Sequence, residues 1–260
     1  KALRYLKAAS GEEYMHPFRL GQCSGCGLVQ MIDPPPGREL LPRYDWIVYR
    51  DPDAHVPGLV RKIASSVSKD ANVAGIGYAS EPMLQGLREA GFTRCWRLDP
   101  KEDLGVAEPC AGTEIIQERL TPAAAARIAA TRGRVDVLVV LHFYEHAARQ
   151  KECLAAFKEL LAPGGTLVIE VPDSHRAMEE CEVSVLWEEH AVYFTPETFR
   201  RSLSYAGFLV EDFAVHGYAL EDSLVAIARQ ADVRPAVMDA RELARERSRA
   251  AAFVKAIPKM

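Results

Sequence analysis

The chain has 260 residues, 48% of them hydrophobic and 26% charged, with a formal net charge of −4. That length and composition suit a globular protein with one large domain, or one domain and an appendage. The charge leaves no basic footprint for nucleic acid or an anionic membrane, no apolar run reaches the ~18–20 residues of a transmembrane helix, and six cysteines do not make a disulfide scaffold.

With no long apolar core at the N-terminus to mark a signal peptide and no disulfide scaffold, a cytoplasmic protein is expected. Residues 1–33 read as a small module around Cys23-x-x-Cys26-Gly27, a tight turn that presents two thiols. A closed zinc site wants four ligands; His16 is a third candidate and no fourth is visible, so zinc is doubtful and no metal-ligand set is read. Residues 34–70 begin with the turn Pro34-Pro35-Pro36-Gly37 and end in an amphipathic helix from about Val56 to Val67. Tyr44, Trp46 and Tyr49 lie between, where they could pack one module on the next.

Residues 71–230 read as the core. Asn72–Ile76 predicts a first strand, Glu81–Ala90 a helix and Cys95–Leu98 a second strand. Asp99 follows in Asp99-Pro100, placed either to accept two ribose hydroxyls or to cap a helix. A short strand near Thr113–Gln117 and an Ala-rich helix over Pro122–Ala130 come next. Val135–Leu141 is a near-continuous apolar run, apt for a strand buried on both faces. Cys153, Leu154, Phe157, Leu160 and Leu161 fall on one face of a helix that Pro163-Gly164-Gly165 stops, and Thr166–Val171 is another strand. Strand, helix and strand at this spacing form a βαβ crossover, which makes a parallel sheet with sites at the carboxyl ends of its strands. Thr195 and Pro196 start a helix to Ala206, and Phe208–Val215 with Ser223–Ala228 predict an antiparallel hairpin. Residues 231–260 read as a charged helix with a solvated face.

Two stretches carry a resemblance. Asp136–Ala147 (DVLVVLHFYEHA) and Leu160–Asp173 (LLAPGGTLVIEVPD) resemble the fourth strand, following helix and fifth strand of class I S-adenosylmethionine (SAM) dependent methyltransferases. The resemblance implies an α/β Rossmann-like fold, a seven-stranded mostly parallel sheet with helices on both faces, preceded by the small N-terminal module. It implies SAM as cofactor, met by Gly75, Gly77 and Ala79 on the first turn, by Asp99, by Leu141 and His142, and by Glu118 where the fold borders adenine. The family's turn, roughly E-x-G-x-G-x-G, appears here as Gly75-Ile76-Gly77-Tyr78-Ala79-Ser80-Glu81. Gly77 matches, Gly75 stands where the acid is usual, Ala79 replaces a glycine and Glu81 takes the last glycine position.

Within that family, His16–Gln30 and Leu186–Phe199 (LWEEHAVYFTPETF) resemble the sugar C-methyltransferases, which have a zinc-binding N-terminal domain. Their first CxxC would fall upstream of Lys1, so truncation and absence both stay open. The resemblance implies Glu189 and His190 as the proton-removing pair, Tyr193 beside them, and Tyr44, Tyr49 and His55 on a lid; a loop ion-pair network is the plainer reading of Glu189 and His190. Glu188 and Glu189 are expected to raise the pKa of His190 and keep it protonated. Sugar C-methyltransferases continue into a further lobe where this chain stops, which leaves the acceptor open. Two other functions stand beside methyl transfer to a small molecule: a methyltransferase-like binding module with an eroded cofactor turn, and an NAD-dependent oxidoreductase, which the missing G-x-G-x-x-G counts against.

Overall fold

The computed structural model describes residues 15–41, 51–107, 112–231 and 239–257. In chain order its elements are β1 (Leu20–Gln22), β2 (Val29–Met31), α1 (Gly37–Leu40), α2 (Val56–Ser66), β3 (Asn72–Ile76), α3 (Glu81–Glu89), β4 (Arg94–Arg97), α4 (Pro100–Leu104), α5 (Thr113–Arg119), α6 (Pro122–Arg132), β5 (Val135–Leu141), α7 (Gln150–Leu160), β6 (Leu161–Asp173), α8 (Ser174–Glu179), β7 (Val192–Tyr193), α9 (Pro196–Tyr205), β8 (Phe208–His216), β9 (Asp222–Gln230) and α10 (Ala240–Ala256).

The main sheet runs β4-β3-β5-β6-β9-β8. β4, β3, β5 and β6 are parallel, and β9 enters antiparallel between β6 and β8. Every residue of β3 is buried, and so is all of β5 but Asp136, because helices cover both faces. On one face Ile63, Leu84 and Leu87 of α2 and α3 pack on Val73, Val137 and Val139. On the other, Ile128, Phe157 and Phe199 of α6, α7 and α9 pack on Ala74, Leu138 and Ile169. This is a Rossmann-like α/β fold, with its parallel strands all ending at one edge.

Among the described residues the sheet has six strands rather than seven. The expected strand at Thr113–Gln117 is instead the start of helix α5. Its buried side is Thr113–Ile116, and the rest of the segment is Gln117, Glu118 and Arg119, all good helix formers. Two isoleucines were too little apolar content to hold a strand at the sheet edge, and β4 takes that edge. α7 ends at Leu160, and the strand after it begins at once: Val135 pairs with Leu161 and Val137 with Thr166, so Ala162–Gly165 bulges out of register.

A second, three-stranded sheet has the order β1-β2-β7. Val29 pairs with Tyr193 and Gln30 with Val192, and Met31 N donates to Ala191 O at 2.8 Å. α10 closes over the hairpin turn, where Gln22 Nε2 donates to Glu246 O (3.0 Å) and Arg247 Nη2 to Ser24 O (2.7 Å). No described helix is long and apolar enough to cross a membrane.

Candidate active site

β3 ends at Ile76 and turns through Gly77, at φ +77°, into a short 3-10 turn at Tyr78–Ser80 and then α3. The two glycines differ. A Cβ on Gly75 would meet Leu84 Cδ1 at 2.7 Å and Ser80 Oγ closer still, so the position where an acid is usual has no room for any side chain. A Cβ on Gly77 would lie 3.6 Å from Phe143, ordinary contact; that glycine serves the positive φ. Ala79 is not among the positive-φ residues, so its methyl is tolerated. It lines a cavity of about 200 Å³ with Leu141, His142, Glu170, Asp51 and Asp53.

Beside this turn, Leu98 N donates to Gly75 O (2.9 Å), which carries the chain to Asp99 at the carboxyl end of the sheet. Asp99 Oδ1 accepts from Lys101 N and Glu102 N, each at 2.8 Å, and caps α4. Oδ2 has no partner among the described residues, and the side chain is exposed. The cap therefore occupies one oxygen and leaves the other to face outward.

His142 sits at φ 47°, a region non-glycine residues visit rarely, and such strain is held only where surroundings over-determine it. Its N–H donates to Glu170 O (3.2 Å), and its Nε2 lies 3.2 Å from Glu170 Oε1, in ion-pair range but out of line for a hydrogen bond. Glu170 Oε2 is bonded to His55 Nε2 at 3.1 Å. His55 Nδ1 is 2.6 Å from Tyr218 Oη, and its ring stacks on His216 at 4.4 Å between centroids. Burial alone would raise the Glu170 carboxyl; the imidazoles of His142 and His55 outweigh it and hold the pKa at about 2. Burial would likewise lower His142, but Glu145 and Glu170 raise it well above the ordinary imidazole value. At neutral pH the cavity floor is thus a buried ion pair.

The polar chain continues inward. Glu145 Oε1 is 3.5 Å from His142 Nδ1 and 3.8 Å from His146 Nε2, and His146 Nδ1 is 3.3 Å from Glu114 Oε1. The His146 and His190 rings meet edge-on at 5.0 Å. A larger cavity of about 560 Å³ opens here, walled by Glu114, Glu118, His146, Glu188, Glu189, Arg119 and Arg149.

Several expectations change at this wall. His190 is not held protonated by Glu188 and Glu189: burial, then the charges of His146 and His142, push it well below the ordinary value, so the ring is neutral. Glu118 accepts from Gly37 N at 2.6 Å and faces the larger cavity, not the one lined by Ala79 and His142. Tyr193 is 1% exposed and lines neither cavity; its Oη donates to Trp187 O at 3.1 Å, and burial pushes its phenol up. Tyr44 and Tyr49 lie outside the described residues. In the CxxC turn, burial would raise Cys23, but the N–H groups of Gly25 and Cys26 bring it below the ordinary thiol value, while burial raises Cys26. Among the described residues no third ligand atom joins them, and His16 Nε2 is engaged by Asp33 O at 2.6 Å.

The structure therefore brings Ala79, Leu141 and His142 to one cavity and Glu118 and Glu189 to another, with His190 against His146. Four contributors went unread in the sequence. Glu170 had a signal: one acid inside the apolar run Thr166–Val171 of a strand buried on both faces. Asp51 and Asp53 precede the helix at Val56 with no motif to mark them. Glu221, on the β8–β9 connection, had no signal at all; burial, then the charge of Glu145, pushes its carboxyl up to about 7, and its Oε1 is buried without a hydrogen-bond partner.

A family model described as a methyltransferase domain matches residues 53–212. No curated protein matches the chain. Similar solved structures include a 1,6-didemethyltoxoflavin-N1-methyltransferase from Burkholderia thailandensis, 18% identical over 69% of this chain and 80% of that one (TM-score 0.46). The magnesium protoporphyrin IX methyltransferase of Synechocystis PCC 6803 is 16% identical over 68% of this chain and 82% of its own (TM-score 0.46). Both were solved with S-adenosylhomocysteine bound. A putative SAM-dependent methyltransferase from Listeria monocytogenes is 11% identical over 70% of this chain and all of that one (100%, TM-score 0.47).

Proposed function

The chain belongs to the methyltransferase-domain family, and from that membership we propose that it moves a methyl group from SAM to a small-molecule acceptor. The observation that carries the reading is the cavity of Ala79, Leu141 and His142, which lies where β3 and β5 end, the position at which α/β sheets of this kind take ligands. The residues present fit the cofactor with one substitution. Gly77 and Ala79 let the backbone come close, and Asp99 Oδ2 is available to ribose hydroxyls. The acid absent at Gly75 is supplied from another element, by Asp51 and Asp53 on the cavity wall, for the cofactor's ammonium group. When bound, SAM supplies a methyl group on a sulfonium, which an acceptor atom attacks in line.

The protein's own share is orientation, exclusion of water and handling of the acceptor proton. The Glu170–His142 pair fixes the strained turn at the cavity floor. Glu189, on the wall of the larger cavity, is proposed as the base, with the neutral His190 ring beside it. A sugar or related metabolite is the acceptor class suggested by the resemblance of Leu186–Phe199. The filled space at Gly75 favours a second reading, a binding module without catalysis.

Calorimetric titration with SAM separates the two. Wild type should bind, and Asp99→Asn, which keeps a capping side chain but loses the charge, should weaken affinity by about 1–3 kcal/mol, or roughly 5–150-fold. Absence of SAM binding at millimolar concentration would remove the enzyme reading and leave the binding module.

A further inference from the structure

We propose that Glu145, His146 and His190 form a site for a divalent transition-metal cation at the wall of the larger cavity. Their ligand atoms all lie within 4.8 Å of one another. Three ligands held ~2.1 Å from a tetrahedral cation stand roughly 3.4 Å apart, so a rotamer adjustment of about an ångström closes the set. His146 Nε2 is already 3.8 Å from Glu145 Oε1. The other nitrogen of that ring, Nδ1, is 3.3 Å from Glu114 Oε1, the carboxylate-to-imidazole arrangement that orients a metal-binding histidine and leaves Nε2 for the ion. His142 Nδ1 stands 3.5 Å from Glu145 Oε1 and steadies the carboxylate in the same way.

A second observation points to a ligand. Glu145 Oε2 and His146 Nδ1 are both buried and without a hydrogen-bond partner among the described residues. Glu145 is 1% exposed. A native fold rarely leaves two such atoms unsatisfied within one cluster. A cation would satisfy the carboxylate directly and draw His146 into line with Glu114. The cavity wall adds Glu114, Glu118, Glu188 and Glu189 against Arg119 and Arg149, a net negative surface that favours a cation.

The donor set selects the ion. Two imidazole nitrogens and one carboxylate suit Zn²⁺, Co²⁺, Mn²⁺ or Fe²⁺, whereas Mg²⁺ and Ca²⁺ prefer oxygen ligands throughout. Three protein ligands leave a fourth position for a water or an acceptor oxygen, and His146 is the one of the three that lines the cavity. That the acceptor offers such an oxygen rests on the methyl-transfer reading; cation binding itself does not.

The test is titration of chelator-treated full chain with Co²⁺, read by visible absorption, and with Zn²⁺ by calorimetry. We expect one site whose spectrum lacks a thiolate charge-transfer band and which survives in the double variant Cys23→Ser/Cys26→Ser. Affinity should fall more than tenfold in His190→Ala and in Glu145→Gln, and about 10–100-fold in Glu114→Gln. Absence of binding in wild type would overturn the proposal, as would a site lost with the two cysteines or one unchanged in His190→Ala and Glu145→Gln. The wild-type spectrum needs no variant to fold. SAM titration of the same samples reports on the cofactor reading separately, so either can fail alone.

Discussion

Glu170 is 1% exposed in a strand of apolar neighbours, and it is tolerable there because His142 and His55 hold both its oxygens. Taking one partner from a buried ion pair leaves a charge without compensation and typically costs ~3–5 kcal/mol. Glu170→Gln should therefore destabilise the protein by that order, in a pH-dependent way. The Glu170 pKa falls from 4.5 to about 2 on folding, so its contribution is present above pH 4.5 and fades as pH drops toward 2. The His142 pKa rises well above 6.5 on folding, so its contribution is present below pH 6.5 and fades as pH rises through the folded value. The two shifts share the Glu170–His142 pairing, to which Glu145 adds on the His142 side and His55 on the Glu170 side. The stability gap between wild type and Glu170→Gln should be widest between pH 4.5 and 6.5. Denaturant unfolding at stepped pH measures the gap, and a gap independent of pH would show that the pair contributes little.

The elements show why some of the fold could be read in the sequence and some could not. β3, β5 and β6 announced themselves as apolar runs because parallel strands covered on both faces have no polar alternation to obscure them. α9 was marked by its own chemistry, a capping box between Thr195 and Thr198 with Pro196 in the first turn. α5 carried no such mark, and its short apolar stretch fits a strand or a helix equally until packing decides. The cofactor turn lies between these cases. Its place between β3 and α3 was legible, but the reason for Gly75 was not, since it lies in the tertiary contact with Ser80 and Leu84. From that contact we expect Gly75→Glu, which restores the acid usual in the family, to harm the protein. Forcing a side chain into a filled core typically costs ~1–3 kcal/mol, and a buried carboxylate adds to it. Thermal unfolding should show a lower Tm with no gain in SAM affinity; a variant of native Tm that binds SAM more tightly would show that the turn opens readily.

At the scale of the whole molecule, the site was legible only where one segment carries it. Glu189 and His190 stood out as a motif, whereas the Glu170–His142–Glu145–His146 chain draws on β6, the end of β5 and the turn after it, and its links appear only when the sheet is assembled. The same holds for what supports the loop of Glu188–His190. That loop ends in β7, whose pairing partner is β2, about 160 residues earlier in the chain. β2 is in turn held by β1, and α10 is fastened over their turn through Glu246 and Arg247. The N-terminal hairpin thus braces one wall of the larger cavity, while Gly77, Ala79 and Asp99 belong to the other sheet. Gln30 is the middle residue of β2, paired with Gly21 on one side and Val192 on the other. Gln30→Pro removes a ladder donor and fixes φ, which a central strand does not accommodate. The amides of residues 186–193 should then exchange hydrogen faster, while SAM affinity stays within about twofold because no contact to the cofactor turn is altered. If SAM affinity falls in step with the loss of protection, the two sheets respond as one unit and the hairpin is no local brace.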